Sequence, residues 1–120
     1  MRSLNKVLII GNATRDPELH QTNGGIDVCT LGVATDRSWK TEAGERREEA
    51  QFHQIICWGK LAVLACQLVH RGGKVYIEGR LQTRTYEKDG QERSVTEIIA
   101  NELIALERRV DPAVADPMAA

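Results

Sequence analysis

Five aromatic residues are the side chains of this sequence best suited to a flat, unsaturated partner: Trp39, Phe52, Trp58, Tyr76 and Tyr86. Three of them stand beside cations: Arg37 and Lys40 flank Trp39, Lys60 follows Trp58, and Arg84 precedes Tyr86. Exposed rings can stack nucleic-acid bases at about 1–3 kcal/mol per base without reading sequence, and neighbouring Lys and Arg attract phosphates. Trp39, Phe52, Trp58 and Tyr86 are therefore the candidate stacking set, with Arg37, Lys40, Lys60 and Arg84 as candidate phosphate contacts. On pattern alone a second reading stays open, in which the tryptophans anchor a core or an interface. Tyr76, mid-strand in Val75-Tyr76-Ile77, is read as core or subunit interface.

These rings need strands to position them, and the apolar period is mostly two. It predicts strands over Leu4 to Gly11, Ile26 to Asp36, Gln51 to Trp58, Lys74 to Glu87 and Ser94 to Leu106. Successive strand side chains take opposite faces, so Phe52, Gln54, Ile56 and Trp58 share one face and His53, Ile55 and Cys57 the other. Leu61, Leu64, Ala65 and Leu68 recur at helical spacing, and Gly72-Gly73 is expected to cap that helix. Asn23-Gly24-Gly25 and Asp89-Gly90 are turn signals, and Gly79 suggests a bulge. Residues 37–50 are charged and broken by Gly44, and read as a long solvated hairpin loop with Trp39 at its root. Tyr86 falls at the outer end of the fourth strand.

The order β-β-β-α-β-β predicts an all-β fold with one helix, the five-stranded Greek-key barrel of the OB-fold. An open sandwich fits the strand count, but a single helix between strands three and four favours the barrel. Residues 1–110 are expected to form this one domain. Residues 111–120, with Pro112 and Pro117 and no apolar period, are expected to be a disordered tail.

Several functions are disfavoured. The net charge of −1 is not that of a generic polyanion binder, so DNA binding would need more than bulk electrostatics. Cys29, Cys57 and Cys66 are odd in number and widely spaced, against a disulfide framework, and no C-x-x-C pair supports zinc. No metal or cofactor is expected. His53 and Cys57 share a strand face but lie about 13 Å apart by strand rise, too far for a nucleophile–base pair. No carboxylate cluster or phosphate loop is evident, and an enzyme is not expected. Apolar runs are too short to span a membrane, and Val7 to Ile10 is too short for a signal peptide. Together these point to a cytoplasmic protein.

The ordered segments also carry a resemblance. Asn5-Lys6-Val7 to Gly11-Asn12, Asp16-Pro17-Glu18, Ser38-Trp39, Phe52-His53, Trp58-Gly59-Lys60-Leu61-Ala62, Val75-Tyr76-Ile77-Glu78-Gly79 and Leu81, Thr83, Arg84 and Tyr86 resemble the bacterial single-stranded DNA-binding protein family over residues 4–107. The resemblance implies an OB-fold subunit that wraps single-stranded DNA without sequence preference in replication, recombination and repair, near the nucleoid. It implies a homotetramer, with a dimer left open. It maps the family's stacking positions onto Trp39, Phe52, Trp58 and Tyr86. Trp is more usual in the family at the second and fourth of these, and Phe at the third. His53 matches a subunit-interface position, implying that the face opposite Phe52 meets protein. The family's acidic, aromatic-ended tip recruits replication and repair proteins. Asp116-Pro117-Met118-Ala119-Ala120 holds neither feature, so recruitment by that route is not carried over.

Overall fold

The computed structural model describes residues 2–106. The expected tail over 111–120 lies outside them. In chain order the elements are β1 (Val7–Ala13), β2 (Glu18–Gln21), β3 (Asp27–Lys40), β4 (Arg46–Trp58), α1 (Lys60–Leu68), β5 (Lys74–Lys88) and β6 (Gln91–Ala105).

Alternation drives the strands together. Cys29, Leu31 and Val33 of β3 and Ile55 and Cys57 of β4 are fully buried. They point inward beside Val75 and Ile77 of β5 and Ile98 and Leu103 of β6. β1 pairs with β5, β5 with β6, β6 in parallel with β4, β4 with β3, and β3 with the end of β1. That circuit closes a five-stranded barrel around the core, and α1 lays Ala62 and Ala65 against it. The expected architecture is present, with one helix between β4 and β5.

Four local expectations are corrected. A sixth strand exists: β2 pairs with β3 along the edge that β1 also reaches. All four β2 side chains are exposed, so no apolar period marks it. The first strand runs from Val7 rather than Leu4. Ahead of it the Asn5 amide pairs with the backbone of Leu81, accepting from its N–H at 2.9 Å and donating to its carbonyl at 2.8 Å.

The expected loop over 37–50 is instead a two-stranded ribbon. β3 and β4 stay in register out to Lys40 opposite Arg46. A tight turn closes it: Gly44 takes φ +84, its N–H bonds the Thr41 carbonyl, and the Thr41 hydroxyl accepts from the Glu45 N–H. Charged residues line both faces because neither covers a core, so alternation cannot reveal the strands.

Nor does Gly72-Gly73 cap the helix. α1 ends at Val69, whose extended backbone donates to Ala65, and Gly72 takes its positive φ in the later turn before β5. Other turns meet expectation. Asp89 and Gly90 both have positive φ at the β5–β6 tip, the geometry a two-residue hairpin requires. Gly79 marks a register shift between β5 and β6. A side chain there would run into the Ile99 carbonyl oxygen.

Candidate nucleic-acid interface

Phe52 and Trp58 sit on the outward face of β4, six residues apart, opposite Ala34 and Val28 of β3. That spacing separates them by about 20 Å along the strand. Phe52 is 75% exposed and Trp58 45%. Their outward position is the direct cost of burying Ile55 and Cys57: strand parity sends the alternate residues to solvent.

The parallel pairing of Ile56 with Ile99 carries this face onto β6 and then β5. Trp58, Gln54 and Ile56 of β4, Arg80, Gln82 and Arg84 of β5, and Glu97 and Ile99 of β6 line one open groove. Tyr86 continues the outward row of β5 beyond Arg84 and is 41% exposed. The Arg84 guanidinium lies 5.7 Å from the centre of the Tyr86 ring, within cation–π range.

Trp39 is placed differently from the expectation. It stands near the tip of the β3–β4 ribbon rather than at a loop root, and it is half-buried. Its parity matches Val33 and His53, so it faces away from Phe52 and Trp58. Arg37 covers it, with the guanidinium 4.6 Å from the ring centre, and Arg47 stands directly across the ribbon.

Lys40 ends β3 on the Phe52 face, opposite Arg46. Lys60 opens α1 and lines a separate hollow with Ile26, Val63 and Gln67. It borders Trp58 in sequence but does not line the central groove.

His53 is half-buried, and its Nε2 lies 2.9 Å from the Thr35 hydroxyl. The expectation that the face opposite Phe52 meets protein needs correction. At Ile55 and Cys57 that face is the chain's own core, and it emerges only around His53, beyond the buried residues. Tyr76 is also half-buried, on the outer face of the barrel between Ile10 and Ile104.

Sequence reasoning missed Glu97 altogether. It is 5% exposed, the one buried charged residue among those described. Gln54 donates to one of its oxygens at 2.6 Å and the Arg84 Nε to the other at 2.8 Å. This carboxylate raises the already high pKa of Arg84. The i, i+2 row Arg80-Gln82-Arg84-Tyr86 was a legible signal for the β5 side of the groove; no comparable signal marks Glu97.

An open groove with protruding rings and paired cations suits binding of a flexible chain of flat units. Comparisons with known proteins agree. Residues 4–106 match the Single-strand binding protein family. A Neisseria meningitidis single-stranded DNA-binding protein is 46% identical over 84% of this chain and 59% of its own length. Single-stranded DNA-binding protein 1 of Chlorobaculum tepidum is 40% identical over 85% of this chain and 64% of its own. The chain thus spans about three fifths of these relatives. Among solved structures, a Plasmodium falciparum SSB in complex with ssDNA superposes with a TM-score of 0.82 at 31% identity, covering 89% of this chain and 98% of that one. The wild-type single-stranded DNA binding protein of Thermus aquaticus gives 0.77 at 33% identity, covering 89% of this chain and 52% of that one.

Proposed function

The chain belongs to the single-strand binding protein family, and from that premise we propose that it binds and protects single-stranded DNA without sequence preference during replication, recombination and repair. Bases stack on Phe52, Trp58, Tyr86 and Trp39, and Arg37, Lys40 and Lys60 attract the phosphates. Arg84 acts beside Tyr86. The function is binding, not catalysis, and calls for no cofactor.

One observation carries this reading: Phe52 and Trp58 are exposed on a single outward face that runs continuously to Arg84 and Tyr86. Large rings held in water contribute nothing to this chain's own core, and contiguous exposed apolar surface marks a site for a partner. Stacking also resolves the charge problem, because it does not depend on net charge. The relatives' names and the ssDNA complex of the Plasmodium protein support the same ligand.

The test is tryptophan fluorescence during titration with oligo-dT, oligo-U and duplex DNA. Strong quenching by oligo-dT, weaker by oligo-U and little by duplex is expected. No quenching by oligo-dT would sink the proposal.

We further propose a homotetramer, with a dimer as the alternative. Supporting it is the outer barrel face around Tyr76, where Leu8 and Ile10 remain 59% and 58% exposed and Ile104 46%. Lys6 and Glu78, 2.6 Å apart, rim that patch. His53 is assigned to a subunit interface by family resemblance. Among the described residues no helix is long and apolar enough to cross a membrane. A location in the cytoplasm, on the nucleoid, follows from the ligand.

A further inference from the structure

Glu97 is out of place in a groove meant for a polyanion. Its charge opposes phosphates, and burying it is costly unless it is paired. Both its oxygens are taken, one by Gln54 from β4 and one by the Arg84 Nε from β5. Glu97 sits on β6 between them, so one carboxylate ties three strands at the floor of the groove.

The pairing changes what Arg84 can do. Its side chain is 54% exposed, while that of Glu97 is 6% exposed. A phosphate arriving at Arg84 would meet an anion just behind the cation, and the two fields largely cancel. What Arg84 still presents is a flat guanidinium, fixed at its Nε end and set 5.7 Å from the centre of the Tyr86 ring. Guanidinium planes stack on bases as aromatic rings do. Arg37 offers the contrast. It lies over Trp39, and among the described residues it has no carboxylate within ion-pair distance. Glu49 stands opposite it across the ribbon, without an ion pair joining the two.

We propose that Glu97 is a positioning and specificity-determining residue that withholds Arg84 from phosphates and holds its guanidinium flat beside Tyr86, so that bases rather than backbone enter the centre of the groove. This rests on the single-stranded DNA reading above. Arg84 is thereby part of the stacking surface, and Arg37 part of the electrostatic one.

The salt dependence of oligo-dT affinity separates the two roles, because its slope counts phosphate contacts at about 0.7 per contact on single strands. Glu97→Gln keeps the side-chain shape and removes the charge. The slope should steepen by about 0.7 as Arg84 is released to a phosphate, and affinity for a base-free strand should rise several-fold. An unchanged or shallower slope overturns the proposal. Should E97Q fail to fold, by circular dichroism, the exposed pair Arg84→Gln and Arg37→Gln decides. R84Q should keep the slope of the unaltered chain, and R37Q should lose about 0.7. A loss of that size in R84Q would put Arg84 on a phosphate and overturn the proposal. If the unaltered chain binds no oligo-dT, the functional reading itself fails, and this inference with it. Binding with no slope change in E97Q sinks the inference alone.

Discussion

Trp39 and Phe52 face opposite ways from the same two-stranded ribbon: Trp39 stands across from Arg47, and Phe52 across from Ala34, at positions of opposite parity. A strand that stacks on both must pass around the ribbon's edge. A short strand lying along the Phe52–Trp58 face has no reason to do so.

Length should therefore separate the two rings. Trp39→Ala should weaken a long oligo-dT by about 1–3 kcal/mol. It should leave the affinity of an oligomer of about four to six nucleotides, the lower end of OB-fold site sizes, nearly unchanged. Trp58→Ala should weaken both. Equal losses for W39A at both lengths, measured by fluorescence titration, would mean that the rings act as one platform.

The reason Trp39 was misplaced by sequence, while Phe52 and Trp58 were not, is physical. Phe52 and Trp58 share a strand with Ile55 and Cys57, and the buried pair fixes which face is outward. From Arg37 to Ala50 both faces of the ribbon are wet, so charged residues take either parity and the strands leave no period. Gly44 was the one sequence mark of its turn; in the structure Thr41-Glu42-Ala43-Gly44-Glu45 has the same hydrogen-bond scheme as Thr22-Asn23-Gly24-Gly25-Ile26, a Thr hydroxyl accepting from an N–H four residues on, and a positive-φ glycine. Glu97 could not be found this way. A carboxylate with outward parity looks solvated until Gln54 and Arg84, distant in sequence, are seen to cover it.

The cysteines, too widely spaced in sequence for a disulfide framework or a zinc site, converge. Cys29 lies directly opposite Cys57, and Cys66 of α1 packs against the same core cluster. Burial, then the neighbouring thiols, pushes Cys29 up to about 12; burial pushes Cys57 up to about 11. Both hold their protons more tightly folded than at the ordinary value of 9.0. The stability this contributes is complete below pH 9 and is lost as pH rises toward 11 to 12. The urea midpoint should fall across that range, and it should fall less in a Cys29→Ala, Cys57→Ala double variant relative to its own pH 8 value. Equal pH sensitivity in the two proteins would exclude the thiols as the cause. At pH 8 a thiol reagent should label half-buried Cys66 well before the other two.

Gly79 is a packing requirement rather than a flexible joint. A Cβ at this position meets the Ile99 carbonyl across the β5–β6 register shift. Backbone must move to admit it, so Gly79→Ala should cost about 1–3 kcal/mol in urea unfolding, the usual range for overpacking. An unchanged midpoint would show that the shift absorbs a methyl group freely.

Self-association has its own test. Tyr76→Glu and Ile10→Asp put charge into the exposed apolar patch of the barrel, and His53→Glu puts it at the emerging end of the β4 inner face. Light scattering should report a smaller particle for each if these faces join subunits, with circular dichroism retained. A mass equal to that of the unaltered chain would remove the face concerned from the interface.

Stacking itself is tested most directly by taking the bases away. Oligo-dT and a base-free deoxyribose-phosphate strand of equal length carry the same phosphates and differ only in what the rings can hold. At one salt concentration the base-free strand should bind on the order of 100-fold more weakly, as expected from losing two or more stacks of about 1–3 kcal/mol each, and Phe52→Ala and Trp58→Ala should each narrow the gap. Equal affinity for the two strands would contradict the account, leaving Phe52, Trp58 and Tyr86 as exposed rings with no part in holding DNA.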